Sequence, residues 1–144
     1  MDLLGNENQT QQSLSVRDGT TLLPLSIARP LGVVFAERRR GLSAETEAFV
    51  EEVGEGSNAC ACGVRVGDVL RLVTCVIEVR GKVDVLSYYA NPPKAANRRA
   101  LLVADGQPFG KLMKAIVSNG TAVDLASGES RAFPEVALVL ERAS

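Results

Sequence analysis

Reactive side chains are scarce in this chain. It has no histidine and three cysteines, Cys60, Cys62 and Cys75. Without histidine the usual general base and the imidazole member of a nucleophilic triad are missing. Aspartate, glutamate and lysine remain, but Glu51, Glu52 and Glu55 read as solvent-facing and no second constellation joins them for acid/base work. The three cysteines could offer thiolates to zinc, yet no fourth ligand stands with them, and small buried cysteines are the plainer reading. An odd cysteine count is a poor disulfide framework and fits a reducing compartment. No phosphate-binding or dinucleotide fingerprint is present, because "GVRVGD" lacks the needed spacing. The expectation is a non-enzyme without metal or cofactor.

The chemistry left is that of the backbone. "RPLGVVFAE", Arg29 to Glu37, opens with a proline, bends at Gly32 and runs apolar into a charge. A strand start needs no glycine, whereas a backbone that must present its own N–H groups to an anion does. Pro30 has no N–H to give, so the donors of such a cradle must come from residues 31 to 33.

The elements that would position this stretch can be read along the chain. Residues 1–19 are rich in Asn, Gln and Ser and read as a flexible arm. "TTLLPLSIA" is a β-rich run in which Pro24 marks an edge strand. "GVVFAERR" reads as a second strand, and Arg38, Arg39 and Arg40 as a solvated basic turn pivoting at Gly41, able to meet an acidic partner surface. "EAFVEEV" alternates with the period of a half-buried strand. Ser57 is placed to N-cap one short helical turn. "GVRVGDVLRLVTCVIEV" is the most apolar stretch, and its β-branched content favours a strand, with Asp68 satisfying turn N–H groups. The 80–99 segment reads as an enlarged loop, held extended by Pro92 and Pro93, and "ALLVAD" as the next strand. Phe109, Leu112, Met113, Ile116 and Val117 follow the i, i+3, i+4, i+7 spacing of an amphipathic helix. Pro108 suits its first turn and Gly120 its end. "EVALVLER" is a last alternating strand. Asn8 and Asn119 begin glycosylation sequons, but free thiols and the helix-ending place of Asn119 argue against their use.

Size and charge limit the function. The 144 residues read as one domain with an apolar content of 46%, long enough to bury a core and too apolar for disorder. With aromatics at 4% the core must be aliphatic. A net charge of −1 offers nucleic acid and anionic membranes no general attraction. No run approaches the ~18 apolar residues of a membrane span.

Three pieces in this order resemble a PDZ domain: "RPLGVVF", then "EEVGEGSNACACGVRVGDVLRLV", then "FGKLMKAIVSNG" followed by "VALVLER". The likeness runs from about Thr20 to Arg142. It departs from the family at Pro30 and Val33, and in the longer segment between Val79 and Ala104. That segment, with "LLVADGQPFGKLMKAI" after it, is similar to single PDZ proteins of plant and algal chloroplasts. The resemblance implies a mainly β, partly open barrel or sandwich over residues 20–144, capped by one short and one longer helix. It implies a protein-interaction module that binds an extended or C-terminal peptide by strand addition. Arg29, Leu31, Gly32 and Val33 would take the peptide carboxylate; Val34, Phe35, Phe109, Leu112, Met113 and Ile116 would line the groove. Phe109 falls where many PDZ domains carry a histidine that bonds a Ser or Thr hydroxyl of the ligand. The partner would be a protein, such as one of a thylakoid membrane complex, met in the stroma or at the stromal thylakoid surface after loss of a transit peptide. The alternative is a non-catalytic structural subunit of a photosystem or antenna complex.

Overall fold

The computed structural model describes residues 14–15, 17–42, 44–79 and 96–143. Among the described residues eight strands and two helices follow one another: β1 (Thr20–Ala28), β2 (Val33–Arg39), β3 (Thr46–Val53), α1 (Asn58–Ala61), β4 (Val69–Val79), β5 (Ala96–Val103), α2 (Phe109–Ser118), β6 (Val123–Asp124), β7 (Ser130–Arg131) and β8 (Glu135–Ala143). The main sheet runs β1-β8-β4-β3-β2 with β5 on β4, and it does not close. The fold is therefore the expected one, mainly β and partly open, with one short and one longer helix. β1 is an edge strand, where Pro24 costs no ladder bond to a second neighbour.

β4 organises the molecule. Its first part pairs with β8 and its second with β5, while it meets β3 through Phe49 opposite Val69. Residues 69–75 are buried without interruption, as the apolar run requires of a strand covered on both faces. Ile27, Val50, Leu70, Val73, Leu112 and Leu138 sit at the centre of the aliphatic core.

An arginine is embedded in that run. The β4–β8 register slips between Leu70 and Leu72, so Arg71 has no opposite number. Its side chain is fully buried and forks onto Asp105 at 2.8 and 3.0 Å. It also reaches Glu141 at 2.5 Å and the Ser15 carbonyl at 3.0 Å. Arg17 adds a bond to Glu141 at 3.1 Å and lies 3.6 Å from Glu47. The expected arm of residues 1–19 is thus fastened to the body at Ser15 and Arg17; residues 1–13 lie outside the described residues.

Other expectations shift. Residues 80–95 of the enlarged loop lie outside the described residues, but 96–99 are the first half of β5, paired with Val76 to Val79. The apolar stretch from Gly63 becomes a strand only at Val69, because Asp68 closes the preceding turn. Its carboxylate accepts the Arg65 N–H at 2.9 Å and a forked bond from Arg142. Arg38 and Arg39 end β2 rather than form a turn, and Arg38 pairs with Glu47 at 3.1 Å while stacking on Phe49. Cys75 is buried, but Cys60 and Cys62 are exposed, since α1 is a single turn with only Ala59 facing inward. The β6–β7 hairpin had no signal strong enough to read.

Candidate functional site

The stretch between β1 and β2 is tied down through its carbonyls. Ser57 N-caps α1, its Oγ accepting the Cys60 N–H at 3.1 Å. This sets Asn58 and Ala59 against the loop. Asn58 Nδ2 donates to the carbonyls of Ala28 and Pro30, each at 3.0 Å. The Ala59 N–H donates to Leu31 at 2.9 Å and the Gly54 N–H to Gly32 at 2.7 Å. With its carbonyls turned to these donors, the loop leaves the N–H groups of Leu31 and Gly32 with no acceptor among the described residues. Val33, the third expected donor, is the first residue of β2, opposite Val53.

Gly32 is required here twice over. Its φ is +79°, and an added Cβ would stand 2.3 Å from Ser57 Cβ. No other residue lets the loop press so closely on the α1 cap. The Arg29–Pro30 peptide is cis.

Arg29 is exposed and anchored by neutral groups. Its N–H donates to the Pro134 carbonyl at 2.8 Å. Its guanidinium Nε and Nη2 donate to the Phe133 carbonyl at 3.2 and 2.9 Å. Nη1 lies 3.2 Å from where a Cβ on Gly120 would be. Gly120 thus makes room for the arginine. The helix itself ends on Asn119, whose φ of −61° needs no glycine.

The loop forms one wall of an open cleft of about 560 Å³, lined by Arg29, Pro30, Leu31, Ile116, Val117, Pro134 and Val136. The opposite wall is the last turns of α2, and these are fixed. Asn119 is 2% exposed. Its Nδ2 donates to the carbonyls of Thr74, Ala115 and Ile116 at 2.7, 3.2 and 3.0 Å, and its Oδ1 accepts from Thr74 Oγ1 at 3.0 Å. Ser118 Oγ accepts the Val76 N–H at 2.9 Å. The residue that starts the second sequon is therefore a buried strut between helix and sheet.

Other expected groove residues divide. Leu31, Val33, Phe35, Phe109, Met113 and Ile116 are half-buried and packed on the core, leaving part of each surface open. Leu112 is 2% exposed and belongs to the core, because the helix turns it directly onto the sheet. Val34 is 48% exposed and points away from its neighbours Val33 and Phe35, as strand alternation dictates. β2 ends the sheet, so its outer edge pairs with no strand among the described residues. Val117, Pro134 and Val136 were missed; the exposed apolar Val117 beside the helix end was the available sign.

Burial raises the Cys75 thiol above its ordinary value, with Lys111 acting in the opposite sense. Among the described residues no group of three or more His, Cys, Asp or Glu is arranged to hold a metal, and no helix is long and apolar enough to cross a membrane. No family model matches the chain, and no curated protein matches it.

Proposed function

We propose that the protein is a PDZ-like binding module that acts by capture of a partner's C-terminal peptide, without catalysis. The observation that carries this reading is the division of the Arg29–Gly32 loop. The carbonyls of Pro30, Leu31 and Gly32 are occupied, the Leu31 and Gly32 amides are open, and an apolar cleft adjoins them. Successive unpaired amides are the ordinary way a backbone holds a carboxylate. The open edge of β2 supplies main-chain bonds for an added strand. The half-buried side chains of β2 and α2 supply apolar contact for alternate ligand residues. Phe109 cannot bond a hydroxyl, so the ligand residue two before the terminus is apolar. Residence in the chloroplast belongs to the same proposal and is supported by the sequence resemblance alone.

The test is binding of a C-terminal peptide array by fluorescence anisotropy, each peptide offered free and C-amidated. Amidation removes the charge the cradle receives and should weaken binding about tenfold or more, the loss of roughly one charge-assisted hydrogen bond. Equal binding of both forms would remove the carboxylate from the site. Phe109→His should move selection toward Ser or Thr two residues before the end. An array unchanged by that substitution would take Phe109 out of the groove.

A further inference from the structure

The cleft beside the cradle is uneven in charge. Its lining is apolar except for Arg29. That guanidinium is held by the Phe133 carbonyl, which is neutral. The Phe133 ring in turn carries two more guanidiniums, Arg99 at 4.6 Å and Arg131 at 4.7 Å from its centroid. Arg99 also donates to the Glu135 carbonyl at 2.8 Å. Three cations from three separate segments thus converge on Phe133. Among the described residues no carboxylate forms an ion pair with Arg29 or Arg131. Glu135 is the acid nearest to Phe133 in sequence, but strand alternation puts Pro134 and Val136 on the cleft and Glu135 on β1, where it accepts from Ser26 Oγ at 2.6 Å.

A site of this make-up fits a side chain with an apolar stem and an anionic tip. We propose that the cleft selects partner chain ends whose last residue is acidic, with glutamate the best fit, an inference that rests on the peptide-binding reading above. The terminal carboxylate takes the Leu31 and Gly32 amides. The methylene stem lies against Leu31, Ile116 and Val136. The side-chain carboxylate meets Arg29, whose field is strengthened by Arg131 on the Phe133 ring. A charged pair at the mouth of an apolar cleft is worth more than one in open solvent, and salt weakens it.

The experiment uses one labelled peptide with a free carboxyl end, ending in Glu, in Gln or in Leu, and measures anisotropy at low and high salt. The Glu form should bind about fivefold or more tightly than its Gln twin at low salt, and the gap should close as salt rises. Arg29→Gln should abolish the gap. Arg131→Gln removes no side-chain hydrogen bond among the described residues and guards against a folding defect in the first variant; it should narrow the gap. Gln or Leu forms that bind as well as Glu, with C-amidation still harmful, overturn the acidic selection and leave the peptide-binding reading standing. A gap that survives both substitutions also overturns it. If no peptide binds whatever its last residue, both proposals fall together.

Discussion

Arg29 and Arg71 are held in opposite ways. Arg71 is fully buried, and its guanidinium meets two carboxylates and a carbonyl. The bonds to Asp105 lead in raising its pKa above the ordinary arginine value, against the pull of desolvation, so its charge is fixed. Arg29 is exposed, and only neutral carbonyls hold it. A buried charge must be fully matched by the protein because water cannot help. An exposed charge held by neutral acceptors keeps its field for something else. The same contrast recurs in the backbone beside Arg29, where the carbonyls are bound and the amides of Leu31 and Gly32 are not. Saturation marks the part of the molecule that holds the fold, and incomplete saturation marks the part offered to a ligand.

The largest effect should come from Arg71→Met. It leaves Glu141, itself 6% exposed, with Arg17 as its remaining cation and strips Asp105 of its forked bond, and the loss of one partner of a buried pair costs about 3–5 kcal/mol. Urea unfolding would show it as a lowered midpoint, with peptide affinity of the folded fraction unchanged. Arg29→Gln is the matched control. It should change stability by less than about 0.5 kcal/mol, as for most exposed sites, while weakening the peptide that ends in Glu. Equal destabilisation by the two substitutions would break the comparison.

Gly32→Ala comes next. The φ of +79° and the 2.3 Å approach to Ser57 Cβ should together cost about 1–3 kcal/mol, and the displaced loop should lose the peptide. Normal affinity in a folded Gly32→Ala protein would show that the loop geometry does not matter to binding. Thiol accessibility sharpens the same inside–outside division at lower cost. A thiol reagent should modify the exposed Cys60 and Cys62 in the native protein and reach the buried Cys75 only on unfolding. Prompt reaction of all three would mean that β4 opens far more readily than its burial implies.

Much of the fold was legible because periodicity and capping are local. β1 falls on "TTLLPLSIA", α2 begins at Phe109, and Ser57 caps α1 as its spacing foretold. What escaped was set by partners distant in sequence. Arg71 sits in an apolar run, and nothing near it announces the acids 34 and 70 residues away. Residues 96–99 look like loop because two prolines precede them, yet they complete a ladder with the end of β4. In the site, Gly32 was readable as a special backbone position, while its reason, the pressure of Ser57, was not. Leu112 and Ile116 share a helical face by spacing; only packing tells that the first is sealed and the second lines the cleft.

The smallest expected effect concerns a carboxylate between the two extremes. Asp124 lies on the β6–β7 hairpin and accepts from Ser130 Oγ at 2.5 Å and the Asn97 N–H at 2.8 Å, while its own carbonyl accepts from Arg98. The Ser130 bond first, then the Asn97 bond, hold its pKa below the ordinary 3.8. A carboxyl group depressed in the folded state stabilises it above the unfolded value and loses that contribution as pH falls through the folded one. Exchange of the Asn97 amide should therefore be governed by an unchanged structure at neutral pH and lose protection only as pH falls below the ordinary aspartate value. Asp124→Asn should remove that acid-dependent step. The loss should stay local to residues 96–98 and 123–131, because this pairing ties a hairpin to β5 and not the sheet to itself. If Asn97 instead opens together with the β4–β8 ladder, the hairpin is part of the saturated framework around Arg71, and the line between the two regions must be drawn closer to the cleft.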